Sequence, residues 1–206
     1  MEVLEIKIPK NVKIIIYMAK SEKEGLQNGF DSEIITFIEE KKIKFVTMDF
    51  QINIKVFQNT DLGKALEKKI IPFYQLDIPE YAMGYIYQEI IEKEDFMNGL
   101  CDEYESMQNK DSYKGESLRN WIDMLHEEIQ QTENYISLKL RPQWIVKKML
   151  DLVKAQKTER VIFLYYVQTD ICEDICPQVT QQLREVGIKV INYNVKKHLK
   201  DIITKI

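Results

Sequence analysis

Arg160-Val161-Ile162-Phe163-Leu164-Tyr165-Tyr166-Val167 is the stretch on which the fold turns. Seven apolar residues in a row, mostly β-branched or aromatic, read as a strong strand. Downstream, Cys176 to Val186 reads as a helix with Val179 and Leu183 facing in, and Gly187 follows as a natural C-cap. Ile188 to Tyr193 reads as a further strand and His198 to Ile206 as a terminal helix. A helix between two strands implies parallel pairing through a crossover.

The N-terminal part repeats this pattern. Residues 2–8 alternate, as in a half-buried strand or an extended arm, until Pro9-Lys10-Asn11 breaks them. Val12 to Met18 reads as a buried strand. Asp31 or Ser32 is placed to cap a helix whose apolar face is Ile34, Ile35, Phe37 and Ile38. Lys41 and Lys42 suit the negative end of its dipole, and Lys44 to Met48 is a second strand. Ile52, Ile54 and Val56 alternate as an edge strand would, and Asp61 is the expected cap of a short helix over 62–69. Ile70 to Leu76 is the next strand, with Pro72 placing it near an edge or a strand start.

From Pro79 to about Gln156 the pattern is helical. Pro79 suits a first helical turn, and Tyr81, Tyr85, Ile86, Ile90 and Phe96 follow helical spacing. A polar break at 109–115 precedes a long amphipathic helix starting at Ser117 with Leu118, Trp121, Leu125 and Ile129 on its apolar face. Arg141-Pro142 is expected to interrupt it, because proline lacks an N–H and disfavours the α region before it. The sequence therefore predicts an α/β protein. A mostly parallel, Rossmann-like sheet is built from 1–78 and 157–206, and a helical segment over 79–156 lies between.

Composition bounds the function. The 206 residues are 45% hydrophobic and 30% charged, as in an ordinary globular chain. A net charge of −4 predicts no generic affinity for nucleic acid or an anionic membrane. The N-terminal MEVLEIKIPK carries acidic residues where a secretory signal would be basic, and no apolar run approaches a membrane span. A cytoplasmic location is expected. Three cysteines, Cys101, Cys172 and Cys176, then point to thiols or metal ligands in place of a structural disulfide.

Chemistry is sought beyond the C-terminal strand ends, where ligands of open parallel sheets sit. The densest candidate is residues 168–177, read as a strand-to-helix turn holding Asp170, Cys172, Glu173, Asp174 and Cys176. A helix N-terminus favours thiolate, and soft thiolate suits zinc or an iron–sulfur cluster, while the neighbouring carboxylates oppose further negative charge. Cys172 and Cys176 are the candidate metal ligands, with Asp170 and Arg141 as further cofactor-binding candidates. The structural alternative is a pair of half-buried thiols at a helix start. Asp49, Asp77, Asp170 and Asp174 form an acidic set that suits magnesium, or else caps helices and solvates turns. Gly25 and Gly29 match neither phosphate-binding fingerprint, and His126 and His198 read as surface residues.

The order of elements resembles that of 2-hydroxyacyl-CoA dehydratase and benzoyl-CoA reductase subunits. The resemblance rests on Ile71-Pro72-Phe73-Tyr74-Gln75-Leu76-Asp77-Ile78-Pro79, on Glu116-Ser117-Leu118-Arg119-Asn120-Trp121-Ile122, and on Arg141, Ile145 and Leu150 followed by Val161-Ile162-Phe163, Cys172, Pro177, Leu183 and Gly187-Ile188-Lys189-Val190. It covers scattered positions over roughly half the chain, and the family's members are considerably longer, with their other cluster cysteines earlier. The resemblance implies subunits that work in pairs and a cysteine, here Cys172, that helps to hold an iron–sulfur cluster. Cys176 would be an extra thiol. The expected function is accessory electron transfer or CoA-thioester chemistry. The alternative is a non-enzymatic α/β protein whose central helices mediate homodimerisation or docking of a partner protein.

Overall fold

The computed structural model describes residues 12–21, 30–49 and 54–193, the side chains of 20–21, 30–33, 168–174 and 191–193 excepted. The expected arm over 2–8, Gly25, Gly29, Ile52 and the expected terminal helix over 198–206 lie outside that description, while the helix that Asp31 or Ser32 is expected to cap already begins at Phe30, so both residues lie within that helix. The chain divides into an α/β unit, Met1–Asp77 with Arg141–Ile206, and a helical unit, Ile78–Leu140.

The α/β unit holds β1 (Lys13–Ser21), α1 (Phe30–Glu40), β2 (Val46–Met48), α2 (Ile54–Asn59), α3 (Asp61–Lys68) and β3 (Phe73–Gln75) from the N-terminal part. In the helical unit, α4 spans Glu80–Ser106 and α5 spans Tyr113–Tyr135. From the C-terminal part the α/β unit takes α6 (Arg141–Ala155), β4 (Arg160–Gln168), α7 (Thr169–Glu185) and β5 (Lys189–Tyr193). All strands pair in parallel, in the order β3-β2-β4-β1-β5. β1 and β4 are the longest and pair along their full length, from Lys13 opposite Arg160 to Ser21 opposite Gln168. The apolar run at 161–167 thus lies inside the sheet, between two neighbours, where every side chain meets a covered face.

Two cores follow from the alternation along β4. Val161, Phe163, Tyr165 and Val167 pack with Ile145, Met149 and Val153 of α6 and with Val179 and Leu183 of α7. Leu164 and Tyr166 point the other way, to Ile34, Phe37 and Ile38 of α1 and Leu62 and Leu66 of α3. The apolar stripe of α6 is therefore buried in the α/β unit, which sets that unit's boundary at Arg141. Gly187, with φ +77°, ends α7 in the left-handed region that glycine enters without a Cβ penalty.

Several element limits differ from the sequence reading. Ile54 and Val56 belong to helix α2, where both are exposed and only Phe57 is buried. Three alternating residues are too few to distinguish a strand from one face of a short helix. Thr60, not Asp61, caps α3, its hydroxyl accepting from Gly63 N–H at 3.1 Å. The strand expected over 70–76 is confined to Phe73–Gln75. Ser112 caps α5 by accepting from Gly115 N–H at 3.2 Å, so that helix begins four residues before Ser117. A Cβ on Gly115 would lie 2.1 Å from the Lys110 carbonyl oxygen, which explains a glycine in this first turn. The expected break at Arg141-Pro142 is instead a π turn, Ile136–Leu140, and Pro142 falls in the first turn of α6. A widened turn accommodates a ring that would clash with the carbonyl four residues back. Lastly, α7 starts at Thr169, directly after β4. Residues 169–176 are helix, not turn.

Candidate functional site

Four elements of the α/β unit bring polar side chains together at the C-terminal end of the sheet. Asp49 directly follows β2 and Asp77 lies two residues beyond β3, the neighbouring strand. Tyr165 comes from β4, opposite Thr47, on the face that α6 covers. Arg141 opens α6.

The geometry is that of a clasp. Arg141 donates from Nε to Asp77 Oδ1 at 2.8 Å and from Nη2 to Asp77 Oδ2 at 2.7 Å. The arginine side chain is 21% exposed and the aspartate 11%. Nη2 also approaches the Asp49 carbonyl oxygen at 3.5 Å. Asp49 itself is fully buried, and its Oδ2 accepts from the Tyr165 hydroxyl at 3.0 Å. Thr47, also fully buried, donates across to the Leu164 carbonyl at 3.2 Å. A planar guanidinium matched to a carboxylate through two parallel bonds is strong and orientation-specific. Here it ties the first residue of α6 to the strand end that precedes the helical unit in the chain.

This arrangement answers the magnesium expectation. Asp49 and Asp77 do stand at adjacent strand ends, but both oxygens of Asp77 face Arg141 and Asp49 accepts from a phenol. A cation there would have to displace an existing positive partner. Among the described residues no group of three or more His, Cys, Asp or Glu side chains is placed to hold a metal ion.

The two thiols whose side chains are described, Cys101 and Cys176, belong to different units. Cys176, 6% exposed, packs in the core with Ile175, Val179 and Leu183. Cys101 is partly buried on α4, in the helical unit. Cys172 and Asp170 lie in the first turn of α7, where the helix dipole favours anions, and their side chains are outside the description. A cluster needs four ligands, so the described residues do not fit an iron–sulfur centre held by this chain alone.

No family model, curated protein or solved structure matches the chain. Its chemistry therefore rests on its own side chains, and the helical unit supplies the second candidate. Helices α4 and α5 run in opposite directions, as Lys114–Glu103, Trp121–Phe96 and Lys93–Glu128 contacts show. Leu118, Leu125 and Ile129 of α5 are buried inside this hairpin, beside Leu100 and Ile90 of α4. Three residues of the face expected to dock a partner are thus used within the chain. Trp121, the fourth, is 54% exposed. It meets Phe96, 52% exposed, with ring centroids 6.5 Å apart. Tyr81, Tyr85 and Met124 are exposed as well. Helical spacing identifies the apolar positions but not which of them the neighbouring helix covers, so this outer set was legible only as part of one face. Local pattern shows Tyr165 only as a strand residue, since its partner Asp49 lies 116 positions away.

Proposed function

We propose that the chain is a docking subunit, an α/β scaffold that assembles with another protein chain through the outer face of its α4–α5 hairpin. The observation that carries this is the Phe96–Trp121 pair, two large aromatic side chains in mutual contact and each about half exposed. Aromatic side chains recur as the anchors of protein interfaces, and contiguous exposed apolar surface marks interaction sites. Photo-cross-linking tests the reading directly. A photoreactive residue at position 96 or 121 is expected to capture another chain in the source cells. The same residue at exposed Glu67 on α3 is expected to capture none. Equal capture at all three positions, or none at any, would overturn it. Capture of a second copy would specify homodimerisation.

A second reading is supported by Cys172. The strand–helix–strand unit β4–α7–β5 carries that cysteine in the first turn of α7, and the resemblance to 2-hydroxyacyl-CoA dehydratase-type subunits implies a cluster cysteine after this strand. On this reading the chain is a compact relative of those subunits, serving electron transfer or CoA-thioester chemistry. It contributes Cys172 to an iron–sulfur centre completed by a partner, which agrees with a docking role. Iron and sulfide analysis of anaerobically purified complex tests it. Metal absent from the complex, or unchanged in Cys172→Ala, counts against it.

A further inference from the structure

The charge on the hairpin identifies the kind of partner. Residues 78–140 carry fourteen acidic side chains against five basic ones, although the whole chain has a net charge of only −4. The rest of the chain is correspondingly basic. Of the fourteen carboxylates, Glu89, Glu103 and Glu128 alone have a lysine partner among the described residues, and Lys93 serves two of them. Exposed Glu92 and Asp95 flank Phe96 in the sequence of α4, while exposed Asp123 and Glu127 flank Trp121 and Met124 in α5. Hairpin-on-hairpin pairing of two copies would bring these like charges together, and like-charge juxtaposition opposes association.

Resting on the docking role above, we infer that the occupant of this face is a basic amphipathic helix of a different protein. Its apolar side lies on Phe96, Trp121 and Met124, and its lysines and arginines meet the exposed carboxylates of Glu92, Asp95, Asp123 and Glu127. Helix-in-groove recognition uses this combination of apolar anchors and flanking charge, and arginine or lysine also stacks favourably on tryptophan. Complementary charge would speed encounter and exclude acidic competitors.

The test uses the full chain and a labelled synthetic peptide with leucine and lysine at helical spacing, read by fluorescence anisotropy. A matched leucine–glutamate peptide is the control. The lysine peptide is expected to bind, and to lose at least about tenfold in affinity both at high salt and in the Phe96→Ser/Trp121→Ser variant. The glutamate peptide is expected not to bind. Equal binding of both peptides overturns the inference, as does failure of the lysine peptide to bind. So does binding that salt weakens but the double variant leaves unchanged, since that is charge attraction without the aromatic seat. Positive cross-linking with a negative peptide result would leave docking standing and remove the basic helix. Negative cross-linking removes both.

Discussion

Arg141 holds Asp77 across 64 positions of sequence, through two hydrogen bonds of 2.8 and 2.7 Å. The residues between them include the whole helical unit, so the pair closes the α/β unit at the point where the chain leaves it and returns. Removing one partner leaves the other poorly solvated. Asp77→Ala is expected to cost about 2–3 kcal/mol, measured by urea unfolding. Arg141→Lys is expected to lose much of this too, because an ammonium cannot reproduce the two-pronged geometry. In a double-mutant cycle the coupling of the two sites should clearly exceed additivity.

Tyr165→Phe removes the hydroxyl that donates to the fully buried Asp49. A buried carboxylate deprived of a donor is expensive, and a loss of about 1.5–3 kcal/mol is expected. Asp49→Asn keeps an acceptor for the same phenol without a charge to bury, and should cost less. Parallel chemical denaturation of the two variants measures the difference.

On α5 the two faces should respond oppositely. Leu125→Ala empties a buried position of the hairpin and is expected to cost about 2–4 kcal/mol. Trp121→Ser, four residues from it but half exposed, should change stability by less than about 1 kcal/mol while abolishing cross-linking to the partner. Thermal unfolding read beside cross-link yield separates the effects.

Thiol labelling should follow burial. Cys101, partly exposed, is expected to react in the native protein, and Cys176, in the core, only as the α/β unit opens. Peptide mapping after alkylation with and without urea checks the order. Fast native labelling of Cys176 would contradict its place beside Val179 and Leu183.

Lys93 is held by Glu89 and then Glu128, and its pKa is raised above the ordinary 10.5 mainly by those hydrogen bonds. The raised folded pKa means that its stabilising contribution is complete below about pH 10.5 and fades as pH climbs through the raised value. A side-chain titration by NMR should show the amine deprotonating later than in Glu128→Gln.

The strand 161–167 and the helical crossovers on each side of it were plain from local pattern, and so was the parallel α/β class with helices interposed. Apolar runs and helical spacing are properties of neighbouring residues, and the parallel arrangement follows from crossover geometry alone. Element ends were harder. The sequence reads a helix from Cys176, whereas α7 begins at Thr169 and carries Pro177 within it. The alternation of Ile54 and Val56 likewise gave way to a helix that buries Phe57 beneath Phe73. The clasp needed the fold. Asp49, Asp77, Arg141 and Tyr165 become neighbours only because β3, β2 and β4 are adjacent in the sheet and α6 starts above their ends. In the same way, α5 shows an apolar face by its spacing, but only packing against α4 decides that Leu118 and Leu125 turn inward and Trp121 remains at the surface. Which side chains are satisfied within the chain, and which are left for a partner, depends on contacts between residues far apart in sequence, and local chemistry does not encode that pairing.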